Sequence, residues 1–172
     1  MDNKKDLISL DKIHIPRWNE LPNVDLYLDQ IVTFINSSLS EFLFLNAGLD
    51  KSNKNENQIL TKTMINNYVK NNLIEAPIKK KYSKIQCAKI FVICILKQVY
   101  TMTEIYNLIN IALEHSSVEY AYDKFCSLFE KALSCAYNKQ DFVDTDSKND
   151  NKYLLKAVLL SCSYKIYVQN II

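Results

Sequence analysis

The chain has 172 residues and a formal net charge of +2, is 48% hydrophobic and 23% charged, and holds one glycine and three prolines. These values suit a single domain with its own core, count against disorder, and leave too few turn-formers for a sandwich or barrel, so a mainly α fold is expected. One glycine also rules out the loops of several glycines that cradle nucleotide phosphates, which argues against a nucleotide-dependent enzyme.

Residues 1–22, with Pro16, Trp18 and Pro22, lack a sustained period and are expected to form an arm that packs through Trp18. Asp11 interrupts the start after only Leu7 to Leu10, too short for the apolar region of a secretory signal. Val24, Leu28, Ile31, Ile35, Leu39 and Phe42 form one apolar stripe, which predicts a helix over 24–44 with Asn23 as its cap. From Asn46 to Gln58 the composition is that of a loop. Thr61 is then placed to cap a helix with Met64, Ile65, Tyr68 and Val69 on its apolar side. Leu73 to Tyr82, with Pro77 and the triplet Lys79, Lys80 and Lys81, predicts an extended excursion, after which Ser83 caps an apolar helix over 84–99.

Three further helices follow. One starts at Thr101 or Thr103, turns Ile105, Leu108, Ile109 and Ala112 inward and ends near His115; the others are predicted at 117–138 and 152–170, separated by a polar linker over 141–151. The last is apolar around much of its circumference and needs cover, from the core or from a second copy. The apolar runs all fall short of the roughly 20 residues a membrane span needs, so no membrane partner and a cytoplasmic location are expected. The domain plan is an arm at 1–22, a middle region at 23–115, and a helical region at 116–172 for packing or dimerisation.

Charge is distributed unevenly along this plan. Residues 60–100 hold eight lysines against the single acid Glu75, whereas the segments on either side are acidic overall. A basic stretch in acidic surroundings is the footprint expected for a polyanion, nucleic acid first; the alternative is a solvated lysine-rich face. The helix after Thr61 sharpens the choice. Lys62, Thr63, Asn66, Asn67 and Lys70 fall on one stripe opposite the apolar side, so that stripe carries only hydroxyl, amide and ammonium groups. A helix held on the body by one side, with short polar groups on the other, suits a major groove. Asparagine carboxamides match adenine, and a basic segment just beyond supplies phosphate contacts that fix register.

The stretch Leu60 to Lys70, then Leu73, Ile74, Pro77 and Lys81-Tyr82-Ser83, resembles the winged helix-turn-helix of MerR-type regulators, and Thr101 to Ile105 is similar to the helix start that follows there. Leu21-Pro22, Asp25 to Gln30, Leu60 to Lys70 and Lys80 to Ser83 resemble more closely a bacterial family known only as a domain of unknown function and regarded as MerR-like. The resemblance covers about 20–110. It implies a MerR-like winged helix-turn-helix with a small β wing and additional C-terminal helices, a recognition helix over about 61–71 and a lysine wing over about 76–82. By that resemblance the chain is expected to be a transcriptional regulator that binds double-stranded DNA; separately, a homodimer is expected. Thr63, Asn66 and Asn67 would face bases, Lys62, Lys70, Lys79, Lys80 and Lys81 would face phosphates, and Tyr68 would be the buried aromatic. Three departures stand out: the loop before the recognition helix is long, the wing has lysines where arginines are common, and a glycine is replaced. Asn72 stands where glycine is usual, and asparagine is the residue best able to replace it at positive φ.

Catalytic and metal readings are weak. Asp25 and Asp29, one turn apart on the predicted helix, are better read as solvated carboxylates favoured by the helix dipole than as an acid–base pair. His14 and His115 lack ligand partners at useful spacing. Asp144 to Leu155 fails the calcium-loop pattern at Lys148, Asn149 and Leu155. Five cysteines without a C-x-x-C are expected to be reduced core residues, Cys126 and Cys135 included. No cofactor, no enzymatic activity and no identifiable effector are expected. The competing expectation is an all-helical protein-interaction module that reuses the winged scaffold.

Overall fold

The computed structural model describes residues 13–43, 58–143 and 150–172. Among them are six α-helices and one two-stranded sheet: β1 (Leu26–Tyr27), α1 (Leu28–Leu43), α2 (Lys62–Lys70), β2 (Lys81–Tyr82), α3 (Lys84–Leu96), α4 (Met102–Leu113), α5 (Val118–Asn138) and α6 (Asp150–Ile171). The protein is mainly helical, as its composition predicts. Most of the loop expected over 46–58 and of the linker over 141–151 lies outside the described residues, as do Asp144, Asp146, Lys148 and Asn149 of the stretch weighed as a calcium loop; Leu155 of that stretch belongs to α6.

The helix starts follow their caps. Thr61 Oγ1 accepts from Met64 N at 3.2 Å. Ser83 forms a reciprocal capping box with Gln86, and Thr101 does the same with Glu104. The predicted start of α1 needs correction: the helix begins at Leu28, not 24. Leu26 and Tyr27 pair antiparallel with Tyr82 and Lys81, and Gln30 Oε1 accepts from Tyr27 N at 2.9 Å. The sheet therefore claims the backbone that would have formed the first helical turn, Asn23 caps nothing, and Val24 is left 69% exposed. Asp25 falls outside α1, so it and Asp29 do not share a helix face.

The core centres on α3, whose Cys87, Ala88, Ile90, Phe91, Ile93, Cys94, Ile95 and Leu96 are all buried. Phe91 joins its neighbours on both sides, meeting Phe34 of α1 edge-on at 5.7 Å between centroids and Tyr122 of α5 at 6.4 Å. Farther along, Phe42 packs on Phe129, which stacks on Phe125. One core cluster thus runs from Ile15 to Ile166.

Helix α6 runs parallel to α5. Asn170, near its end, donates to the Tyr137 hydroxyl at the end of α5, while its first turn borders the same cleft as the first turns of α5. Phe142, just after α5, lies beneath Lys131 of α5 and Lys156 of α6. This pairing supplies much of the cover that α6 requires, burying Val158, Leu159, Cys162 and Ile166 while Val168 stays exposed. No helix among the described residues is long and apolar enough to cross a membrane.

The arm is held by more than Trp18, which is only half-buried. Arg17 makes a two-pronged ion pair with Glu130 of α5, one Nη1–Oε1 contact being 2.8 Å, and Glu130 Oε1 also accepts from Ile15 N at 2.6 Å. Asp123 accepts from Trp18 N at 2.7 Å, and the Tyr122 hydroxyl donates to Pro16 O at 2.7 Å. The hydrogen bond with Glu130 raises the Arg17 pKa despite partial burial, so the guanidinium is permanently charged.

Candidate nucleic-acid interface

Helix α2 is short and strongly two-sided. Ile65 and Tyr68 are buried, Met64 and Val69 half-buried, and Lys62, Thr63, Asn66, Asn67 and Lys70 exposed. Two contacts fix its start against α1: the Asn36 carboxamide grips Leu60, donating to its carbonyl at 2.8 Å and accepting from its N–H at 3.0 Å, and Lys62 forms an ion pair with Asp29. Its end is equally defined. Leu73 N donates to Tyr68 O at 2.9 Å and Asn72 N to Val69 O at 3.0 Å, a Schellman closure with Asn72 at φ 57°. The asparagine thus takes the left-handed position anticipated from its place in the sequence.

The predicted extended excursion is a hairpin. Ile78 and Lys81 exchange two backbone hydrogen bonds of 3.0 and 2.9 Å around Lys79 and Lys80, whose φ values are 49° and 65°. Two central residues at positive φ make the tight turn for which Asn-Gly is preferred, and lysine has no side-chain means of easing that conformation. Both lysines are exposed, as is Ile78, and neither has a side-chain partner among the described residues. Lys81 is half-buried, with its ammonium over the Tyr27 ring at 4.9 Å.

Helix α2 and the hairpin share a mount. Tyr27 pairs with Lys81 at the hairpin base, and Asp29, two residues on, holds Lys62 at the start of α2. The eight residues singled out from the sequence therefore belong to two elements anchored on one short segment of chain. Their environments differ: Thr63, Asn66, Asn67, Lys70, Lys79 and Lys80 present exposed side chains, whereas Lys62 and Lys81 are each engaged by a neighbour.

The segment entering the hairpin is tied down as well. Gln86 donates to Glu75 O at 2.7 Å, and Lys89 to the Glu75 carboxylate at 2.6 Å. Burial pulls the Glu75 pKa upward, but the hydrogen bond from Lys89, a backbone hydrogen bond and the Lys89 charge together more than offset it and leave the carboxyl below its ordinary range. Beneath α2, burial pushes the Tyr68 pKa up, and its hydroxyl is a buried side-chain atom without a hydrogen-bond partner. Asn36, Asp29 and Gln86, which position the site, were not singled out for that role because their contacts are long-range.

No cluster of three or more potential metal ligands occurs among the described residues. Burial pushes Cys87, Cys94, Cys126 and Cys162 up to about 12, so they are protonated, inert core thiols at neutral pH, and Cys135 is half-buried.

Residues 16–125 match the family described as Domain of unknown function (DUF1836). The chain belongs to that family. The matched stretch runs from the arm through α2, the hairpin and α3 into the first part of α5; the rest of α5 and all of α6 lie beyond it. No curated protein and no solved structure matches the chain.

Proposed function

We propose that this DUF1836 protein binds double-stranded DNA through α2 and the lysine hairpin, as a MerR-like winged helix-turn-helix regulator acting by occupancy of its site rather than by chemistry. One observation carries the reading: a helix whose exposed stripe holds only hydroxyl, amide and ammonium groups sits on the same mount as a hairpin tip of two unpartnered lysines. The pairing of β1 with β2 and the start of α3 directly after the hairpin support a winged arrangement. In this reading Thr63, Asn66 and Asn67 face base edges, Lys70, Lys79 and Lys80 take phosphates, and Lys62 and Lys81 do so on leaving Asp29 and Tyr27. Two copies would set two such helices one helical turn of DNA apart.

Selection from a random duplex pool at two salt concentrations tests the proposal. Enrichment of a palindromic motif that survives the higher salt is expected, together with relaxed preference at one position, by roughly 1 to 3 kcal/mol, in Asn66→Ala or Asn67→Ala. A pool that stays random at both concentrations overturns base reading. Retention on an acidic protein but on no duplex would point instead to an interaction module.

A further inference from the structure

A cleft of about 360 Å³ lies between α3, α4, α5 and α6, on surfaces that the proposed DNA contacts do not use. Its wall is apolar, formed by Val92, Leu96, Leu108, Phe125, Leu155 and Val158. Its charged border is of one sign. Lys89, Lys124 and Lys152 line it, joined by the imidazole of His115, and no acidic side chain does so among the described residues. Lys89 is shared, its stem lining the cleft while its ammonium holds Glu75. Lys124 lies over the Tyr120 ring at 5.7 Å.

The helix ends do not set the sign of this field: the N-terminal turns of α5 and α6 border the cleft at Val118 and at Asn151 and Lys152, and the C-terminal ends of α3 and α4 border it at Leu96 and Leu113. The side chains set it. An apolar chamber edged by lysines complements one kind of molecule: an amphiphile with an aliphatic or aromatic body and an anionic end. At about 30 Å³ for each water-sized group, the volume accommodates roughly a dozen non-hydrogen atoms, and it falls at the lower end of the usual range for ligand pockets.

We infer that this cleft is a binding site for a small amphipathic anion of the medium-chain carboxylate class. The inference is independent of DNA binding. Calorimetric titration of the full chain with decanoate, below its micellar concentration, tests it against decan-1-ol and decyltrimethylammonium. One decanoate per chain is expected, bound at least tenfold more tightly than either comparator and more weakly as salt rises. Ala112→Trp, which fills the cleft from an exposed position, is expected to weaken decanoate at least tenfold with thermal unfolding unchanged. Lys124→Glu with Lys152→Glu is expected to weaken decanoate severalfold and leave decan-1-ol unaffected. Equal binding of the cationic amphiphile, or decanoate binding indifferent to Ala112→Trp, overturns the inference. So does a dimer that takes up no decanoate and becomes monomeric in Ala112→Trp, since the cleft would then be a seam between copies.

Discussion

Arg17 and the lysines of the hairpin carry the same charge in opposite circumstances. Arg17 is enclosed: Glu130 takes both prongs of its guanidinium, Ile15 O accepts a further bond, and the side chain is 25% exposed. Lys79 and Lys80 stand at a turn tip, exposed and unpartnered, on backbone that other residues would occupy more comfortably. A satisfied cation of the first kind fixes an arm to a helix. Cations of the second kind contribute nothing to folding that their neighbours can use, which leaves their charge available to a partner from outside. The contrast explains why the chain's only arginine does not belong to the proposed interface, and why counting basic residues along the sequence did not by itself separate anchor from contact.

If that contrast is sound, its two sides respond oppositely to mutation. The largest effect is expected at the anchor. Arg17→Ala strands the largely buried Glu130 carboxylate and should cost about 2 to 4 kcal/mol in urea unfolding; a loss below about 0.5 kcal/mol would make the arm an ornament. At the hairpin the sign reverses. Lys79→Asn with Lys80→Gly gives the turn the residues its geometry prefers and should stabilise the protein by about 1 kcal/mol, raising Tm by about 2 to 4 °C. Destabilisation would show that the lysines hold the fold together, which would weaken the case for an external partner. A smaller gain, of about 1 kcal/mol or less, is expected from Tyr68→Phe, which removes a buried hydroxyl that has no partner. A clear loss there would reveal a bond that supports α2 from below.

Much of this architecture was legible in the sequence because its signals are local. Thr61, Ser83 and Thr101 cap helices at positions the sequence offered for caps, the apolar residues of α3 are buried, and Asn72 takes positive φ at a helix end. What escaped is long-range. A two-residue strand such as β1 has no period to detect, and only pairing with Tyr82 and Lys81 draws it out of the helical stripe. The Asn36 grip on Leu60 joins residues 24 apart in sequence, and the Arg17–Glu130 pair joins the arm to α5 across most of the chain. Residue pattern alone gave the hairpin only as extended chain, because Lys-Lys is not the turn signal its conformation requires, and only the family resemblance implied a β wing there. The cleft was invisible for a related reason: its wall reads as ordinary core in every helix, and it exists only where four of them converge.

The central claim, that unpartnered lysines beside the amide stripe of α2 engage a duplex, is tested most directly by the salt dependence of DNA affinity in the natural chain and in Lys79→Glu with Lys80→Glu. With about eight phosphates neutralised per dimer, log K should fall against log salt with a slope of about −7, and removing two lysines from each copy should bring the slope to about −4 and reduce affinity at least tenfold. Identical slopes and affinities in the two proteins, or no binding of the natural chain to any duplex at low salt, would contradict it.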